Sequence, residues 1–212
     1  MRHPPSKLAD MQPDHADVRS SAPDPIPGLP RFAVVDIETS GLSVRRHRIL
    51  QVAVVVVQDG VVVDEWSSLA KLRWPLQRVG PRKVHGISRK MLRRAPPLHQ
   101  VLTDLFERLD GAVFTAHNVG FDWAFIERAA RQAGVAGTTP QRLCTLHLSR
   151  RLDPERQRSH RLADVCARYG VANEHPHNAI YDARATAAVL PYLLHAHGVR
   201  ASSDLDPLYE RR

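Results

Sequence analysis

The chain has 212 residues, of which 43% are hydrophobic and 25% charged, so it can form one soluble domain with a substantial core. Its formal net charge of +8 favours a polyanionic partner, although biased use of arginine explains the charge equally well. Cys144 and Cys166 lack CxxC spacing, and no apolar run reaches the roughly 18 residues of a membrane span. The N-terminus also lacks the apolar core of a secretory signal, so we expect a cytoplasmic protein without membrane contact.

The composition divides the chain into three regions. Residues 1–30 contain seven prolines and four aspartates and few large apolar side chains, so this segment is expected to be disordered. Residues 31–197 carry the periodic apolar patterns of a single folded domain. Residues 198–212 form a short polar tail for which the sequence indicates no fold of its own.

Three valine-rich runs near the start of the domain predict consecutive strands at residues 32–37, 49–57 and 61–69. The second and third runs are separated by Asp59-Gly60, a pair that readily adopts the positive φ angles of a tight hairpin. The beginning of the domain is therefore expected to be an antiparallel meander.

The rest of the domain reads mainly as helices. Apolar residues at three- and four-residue spacing predict a helix up to residue 109, after the break at Pro96-Pro97. Further helices are predicted at residues 121–133, 143–152, 160–169 and 179–196, and a short strand at residues 112–116. Gly134 and Gly170 are placed to end two of these helices. We expect an α/β fold, a mixed sheet flanked by helices in which parallel strands follow the meander.

Two acidic residues lie at the end of the first predicted strand. Asp36 and Glu38 lie two positions apart, so in a strand they share one face while Val35 and Ile37 take the other. Neighbouring carboxylates repel each other and resist burial, and a divalent cation with oxygen ligands compensates both effects. The same pattern also occurs at ordinary exposed strand ends.

A second group of candidate site residues, which includes one acid, follows the predicted strand at residues 112–116. His117 and Asn118 precede Asp122, which falls in the first turn of a predicted helix. The helix dipole favours a negative charge at this position, which is also a purely structural reason for an acid there.

The third group precedes and opens the last helix. Asp182 begins a face that continues through Ala185 and Val189, and an acid on an apolar face is costly unless it is paired or liganded. His177 lies on the preceding loop, and histidine is the residue type most often used as a general base. His175 lies two positions away and is expected to have no catalytic role.

Together the three groups resemble the Exo I, Exo II and Exo III motifs of the DEDDh exonuclease superfamily. Asp36 and Glu38 match the first motif, Asp122 the second, and His177 with Asp182 the third. Further segments also resemble family elements: Val84-His85-Gly86-Ile87-Ser88, Cys144-Thr145-Leu146 and His160-Arg161-Leu162. The resemblance covers about residues 31–195 and implies a ribonuclease H-like fold. It is nearest to the proofreading (epsilon) subunit of bacterial DNA polymerase III and to similar stand-alone exonucleases.

The spacing of the third motif separates two subgroups of this superfamily. In the histidine subgroup a histidine lies five residues before the last aspartate, as His177 does relative to Asp182. In the tyrosine subgroup a tyrosine lies four residues before it, and here that position is Asn178. The histidine subgroup is therefore favoured.

The resemblance implies two-metal hydrolysis of phosphodiesters from a 3′ end, with release of nucleoside monophosphates. It implies that Asp36, Glu38, Asp122 and Asp182 hold two Mg²⁺ ions, with Mn²⁺ also accepted, and that His177 acts as the base. It further offers candidate contacts to the terminal nucleotide: Thr39, Leu42, His85, Asn118 and Phe121. Core packing explains Leu42 and Phe121 equally well.

The motifs are compatible with several substrates and partners. The expected substrate is a single-stranded or frayed 3′ end, with DNA favoured over RNA, and a DNA polymerase is a candidate partner. An RNA 3′ exonuclease of the same superfamily would carry identical motifs. A non-catalytic module that binds nucleic acid or a polymerase would be expected to lack at least one of the carboxylates, and none is missing.

Overall fold

The computed structural model describes residues 23–72 and 77–211. Its five strands form one mixed sheet in the order β3-β2-β1-β4-β5. The strands are β1 (Phe32–Thr39), β2 (Ile49–Gln58), β3 (Val61–Leu69), β4 (Val113–Ala116) and β5 (Arg142–Cys144). The helices are α1 (Arg82–His85), α2 (Arg89–Arg93), α3 (Leu98–Leu109), α4 (Val119–Ala133), α5 (Thr145–Arg151), α6 (Leu162–Arg168) and α7 (Ala179–Ala196).

The first three strands form the expected antiparallel meander. β2 pairs antiparallel with both β1 and β3. Asp59 and Gly60 connect β2 to β3 with φ angles of 51° and 76°, the left-handed conformation that a two-residue hairpin requires. The sequence prediction is confirmed here because both the strand pattern and the turn chemistry are local.

The parallel half of the sheet contains a strand that the sequence did not reveal. β4 lies parallel to β1, and β5 lies parallel to β4. β5 comprises only three residues. One of them, Leu143, falls within the helix that the sequence predicts at residues 143–152. A short buried apolar run has the same appearance in a strand and in a helix, so periodicity could not separate β5 from α5.

Two helical layers cover the sheet. The core on one face joins β1 residues Ala33, Val35 and Ile37 to α3 and α4. The core on the other face joins Phe32 and Val34 to α5, α6 and α7. Asp36 and Glu38 continue the second set, because strand side chains alternate, and they therefore lie on the face that α7 covers. The mixed α/β architecture predicted from the sequence is confirmed.

The ends of the helices agree with the sequence signals to within a few residues. α4 ends at Gly134, whose φ of 67° allows its backbone N–H to bond to the Ala130 carbonyl. α7 has the predicted bounds, whereas α6 begins at Leu162, two residues later than predicted. Among residues 23–72 and 77–211, no helix combines the length and the apolar character that crossing a lipid bilayer requires.

Both boundaries drawn from composition require correction where the structure describes them. Residues 1–22 of the expected disordered segment lie outside the described part, but Ile26 is buried in the core beside α7. The segment after residue 198 is not an unstructured tail, because it forms a 3-10 helix at Ser202–Leu208 that buries Leu205 and Leu208. Its three or four apolar residues were too few to produce a recognisable pattern.

Contacts with the sheet edge extend beyond this 3-10 helix. Tyr209 forms an antiparallel bridge with Leu143, and the Glu210 N–H donates to the Arg142 carbonyl at 2.8 Å. His147 Nδ1 lies 2.7 Å from the Glu210 carboxylate. The C-terminal segment therefore covers the outer edge of β5, which would otherwise expose unpaired backbone groups.

We predict that Leu205→Ala lowers the free energy of unfolding by about 2–4 kcal/mol, because the Leu205 side chain is fully buried and the change leaves a cavity. Urea denaturation measures the effect. Leu42→Ala serves as the control, since the Leu42 side chain is 83% exposed and its loss should change stability by less than about 0.5 kcal/mol. Equal effects of the two changes would show that the C-terminal segment does not pack on the domain.

Candidate active site

Three carboxylates from distant parts of the chain meet where α7 begins. Asp36 and Glu38 come from the end of β1, and Asp182 comes from the first turn of α7. Each offers a carboxylate oxygen, and these oxygens all lie within 4.8 Å of one another. The three side chains are partly buried, so the cluster forms a recess and not an exposed acidic surface.

Asp122 approaches this cluster from another element. It lies in the first turn of α4, directly after β4, and is 5% exposed. β4 runs parallel to β1, so the carboxyl ends of both strands lie at the same edge of the sheet. The Asp122 carboxylate lies close enough to those of Asp36 and Glu38 to raise the pKa of both by repulsion.

The environment of these acids opposes their ionisation. Burial, followed by repulsion from Asp122, Asp182 and Glu38, raises the pKa of Asp36 well above its ordinary value. Burial and the charges of Asp182 and Asp122 raise the pKa of Glu38 to about 8. Burial raises the pKa of Asp122 to about 7. The site therefore retains protons at neutral pH unless positive charge replaces them.

The donor set fits hard divalent cations. All four groups offer carboxylate oxygens, the ligands that Mg²⁺ and Mn²⁺ prefer. Among the described residues, no lysine, arginine or histidine forms an ion pair with any of these acids. No cationic side chain among the described residues thus compensates the repulsion, and bound cations would relieve it.

His177 lies beside the cluster on the loop before α7. Its backbone N–H donates to Asp182 Oδ2 at 2.9 Å, and its side chain is exposed. Its φ of 65° places it in the left-handed region, which costs a non-glycine residue of order 1–3 kcal/mol and is common at functional sites. The structure thus brings His177 next to Asp182, as the third motif implies.

Asn173 fixes Asp182 from the opposite side, and the sequence did not suggest it. Its Nδ2 donates to Asp182 Oδ1 at 2.7 Å, so both carboxylate oxygens of Asp182 are held by donors. No motif marks a single asparagine nine residues before an aspartate. His175 instead packs edge-on against Tyr181 at 4.6 Å between ring centroids, which gives it a packing role.

His117 of the second motif is a supporting residue. Its Nε2 donates to the His160 carbonyl at 2.9 Å, so its Nδ1 accepts from the Thr145 hydroxyl at 3.0 Å. Burial lowers the pKa of His117, which keeps the ring neutral near pH 7. With both nitrogens occupied, His117 joins the start of α4 to α5 and to the loop before α6.

His160 continues this network into the interior. Its Nδ1 lies 2.8 Å from Ser149 Oγ, and its Nε2 lies 3.1 Å from Asp153 Oδ2. The order serine–histidine–aspartate is that of a hydrolytic triad, but Ser149 is fully buried and no substrate reaches its hydroxyl. The network therefore stabilises the loop at residues 153–161. The backbone N–H groups of Gln157 and Arg158 in this loop also donate to the Asp153 carboxylate.

The five candidate contacts to a terminal nucleotide differ in availability. Leu42 and Asn118 are exposed and can contact a ligand. Thr39 is buried and donates its hydroxyl to the Gly41 carbonyl at 2.9 Å. Phe121 packs on Phe125 with ring centroids 5.0 Å apart, which leaves part of its surface open.

His85, the fifth candidate, is occupied by the backbone. Its Nε2 donates to the Val79 carbonyl at 3.2 Å, and its Nδ1 accepts from the Ile87 N–H at 3.0 Å. Burial lowers its pKa and favours the neutral ring that these two bonds require. His85 therefore stabilises the segment at residues 79–87, and its two ring nitrogens are already occupied by that segment.

A second group of metal-ligating atoms lies at the outer edge of the sheet. Cys144, His147 and Glu210 each place one such atom within 4.8 Å of the others. Burial raises the pKa of the Cys144 thiol, and His147 already pairs with Glu210 at 2.7 Å. A protonated thiol beside a hydrogen bond between His147 and Glu210 is explained by the attachment of the C-terminal segment to α5.

Comparison with known proteins supports the interpretation of the three motifs. The sequence model of the exonuclease family RNase_T matches residues 33–190. The chain is 34% identical over 178 residues to the DNA polymerase III PolC-type of Staphylococcus saprophyticus, covering 82% of this chain and 12% of that protein. It therefore spans about one eighth of the length of this relative.

Solved structures show the same fold. Exonuclease X in complex with 5′ overhanging duplex DNA matches with a TM-score of 0.65 and 24% identity, covering 84% of this chain and 98% of that one. The nuclease domain of 3′hExo, a DEDDh family member bound to rAMP, matches with a TM-score of 0.67 and 13% identity, covering 78% and 92%. The ribonuclease H-like fold expected from the motifs is thereby confirmed, and the chain belongs to the exonuclease family RNase_T.

Proposed function

We propose that this protein is a metal-dependent 3′–5′ exonuclease that releases nucleoside monophosphates from DNA 3′ ends. The observation that carries the proposal is the convergence of Asp36, Glu38 and Asp182, with oxygens within 4.8 Å, beside the buried Asp122 and the exposed His177. Membership of an exonuclease family limits the chemistry to phosphodiester hydrolysis at a chain end.

Each residue has a distinct role in this proposal. Asp36, Glu38 and Asp182 would hold one cation, and Asp36 with Asp122 would hold a second. Two bound Mg²⁺ ions, or Mn²⁺ in their place, would activate the attacking water and stabilise charge on the phosphate. His177 is exposed, so its imidazole is accessible to take the proton from the attacking water as general base. Asn173 keeps Asp182 oriented.

The substrate and partner are inferred from related proteins. The PolC-type polymerase relative favours DNA and a place in replication or repair, together with a polymerase as partner. Exonuclease X was solved with duplex DNA and 3′hExo with rAMP, so the same fold accommodates both sugars. An RNA 3′ exonuclease is the second candidate, and its catalytic residues would be identical.

Asp36→Asn and His177→Ala should each lower the rate of nucleotide release by about 10²–10⁴-fold, because the first removes a ligand shared by both cations and the second removes the base. Release is measured on 5′-labelled oligonucleotides with Mg²⁺, where 3′–5′ polarity gives a ladder that shortens stepwise.

His175→Ala is the matched control, since it removes an exposed imidazole two positions from His177 and should retain nearly full activity. Melting temperatures verify that all three variants fold. Full activity of Asp36→Asn or His177→Ala would overturn the assignment. Parallel assays on DNA and RNA of the same sequence decide between the two candidate substrates.

The raised pKa values also predict how stability depends on pH. Between the ordinary carboxyl pKa of about 4 and the raised values of about 7 for Asp122 and about 8 for Glu38, the folded state binds more protons than the unfolded state. Without metal, the contribution of these groups to the free energy of unfolding therefore falls as the pH rises through this window.

Thermal melts with EDTA and with excess Mg²⁺ test this behaviour. We expect Mg²⁺ to raise the melting temperature more near pH 8 than near pH 5, because protons compete with the cation for the carboxylates. Asp36→Asn should reduce the loss of stability with pH in EDTA and also reduce the stabilisation by Mg²⁺. A pH-independent response to Mg²⁺ would contradict metal binding at this cluster.

A further inference from the structure

The positive charge of the chain is concentrated in one part of the sequence. Residues 66–103 contain nine lysines and arginines and no aspartate or glutamate, whereas the formal charge of the whole chain is +8. The remaining sequence is thus nearly balanced. A general bias towards arginine does not explain this, because such a bias would not remove acids from one stretch of 38 residues.

Much of this charge lies on a surface that we call the basic lip, residues 78–94, which includes α1 and α2. Seven cationic side chains are exposed there: Arg78, Arg82, Lys83, Arg89, Lys90, Arg93 and Arg94. Within residues 23–72 and 77–211, none of them pairs with an acid. Their mutual repulsion is therefore relieved only by solvent ions or by a polyanionic ligand.

The basic lip is fixed beside the carboxylate cluster. Gly80 (φ 81°) packs so closely on the turn after β1 that a Cβ there would lie 2.5 Å from the Ser40 carbonyl oxygen. Ser40 is two residues from Glu38. Ile87 and Leu92 anchor the lip by packing with Leu50 of β2 in a small separate core.

Exposed apolar side chains accompany the cations. Leu42 follows Gly41 in the turn after β1 and is 83% exposed, while Val84 and Met91 on the lip are 47% and 45% exposed. Lysines and arginines that only face solvent do not explain why apolar side chains are exposed beside them. A nucleic-acid strand offers both phosphates for the cations and base faces for the apolar groups.

We propose that the basic lip binds the backbone phosphates of the strand upstream of the nucleotide held at the carboxylate cluster. This inference rests on the proposed exonuclease function and specifies its substrate: a polynucleotide several residues long, bound through its backbone. The lip would contribute affinity and not chemistry, because its cations lie outside the set of carboxylates and His177 that acts on the scissile bond.

The test compares Arg82→Gln/Arg93→Gln with the charge-matched Arg131→Gln/Arg200→Gln. Arg131 lies in the last turn of α4 and Arg200 lies four residues beyond the end of α7, so both are away from the first turns that carry Asp122 and Asp182. On a long oligonucleotide the lip variant should raise KM about 2- to 30-fold with kcat unchanged, the combined effect of two exposed ionic interactions. The slope of log(kcat/KM) against log salt should become shallower by about 1.4, or about 0.7 for each phosphate that the variant no longer neutralises.

A substrate without upstream phosphates separates the two proposals. On the p-nitrophenyl ester of thymidine 5′-monophosphate, wild type, lip variant and control should be equally active. If wild type hydrolyses neither substrate, the exonuclease function fails. If wild type is active but the lip variant has the same KM for the long oligonucleotide and the same salt dependence of kcat/KM as the control, the lip proposal alone is overturned. That conclusion holds even if the lip binds an acidic protein or a lipid. Should the double variant melt early, Lys83→Gln/Lys90→Gln replaces it.

Discussion

Repulsion among buried carboxylates is the constraint around which this domain is organised. Asp36, Glu38, Asp122 and Asp182 come from three elements. Burial and the charges of the other three acids oppose the ionisation of Asp36, and burial with the charges of Asp182 and Asp122 opposes that of Glu38. A chain gains nothing in stability from bringing such groups together. The packing of β1, α4 and α7 must therefore supply enough favourable burial to hold them in place, and the large cores on both faces of the sheet do so.

The topology makes this convergence possible. Because β1 and β4 are parallel, the turn after each strand falls at one edge of the sheet, and α4 begins there. α7 begins at the same edge, so two helix N-termini approach the acids. Their backbone N–H groups carry partial positive charge, which offsets part of the repulsion felt by Asp122 and Asp182. The remaining unfavourable charge would give the site an affinity for cations.

Rigid supports around the cluster come from polar groups with no motif of their own. His117 and His160 connect α4, α5 and the loop before α6 through hydrogen bonds to side chains and backbone. Asn173 and the His177 backbone hold the two oxygens of Asp182. Repelling groups stay at fixed distances only when their neighbours cannot move, so these bonds are as necessary to the geometry as the acids themselves.

The sequence predicts those parts of the fold and of the site whose patterns involve residues close together in the chain. The meander and α7 were predictable because alternation, the Asp59-Gly60 turn and helical spacing are short-range patterns. Asp182 stood out because it begins an otherwise apolar helix face. By contrast, β5 is too short for periodicity, and the C-terminal segment packs through Leu205 and Leu208, which lie in a mostly polar sequence. Asn173 and Ser149 act through partners nine and eleven residues away, and these separations belong to no helix, strand or motif pattern that could identify them.

The turn after β1 shows how one short segment serves both the fold and the ligand. Gly41 has a φ of 150° and lies against the His47 ring, so that a Cβ there would lie 2.6 Å from His47 Nε2. The His47 Nδ1 in turn accepts from the Ser43 N–H at 3.0 Å, which closes the loop on itself. Leu42 lies in this closed turn, four residues after Glu38, and its side chain is exposed to solvent. An exposed apolar side chain on a turn that its own hydrogen bonds close would lose little entropy on meeting a base, and that is the physical reason to include this turn in the proposed substrate site.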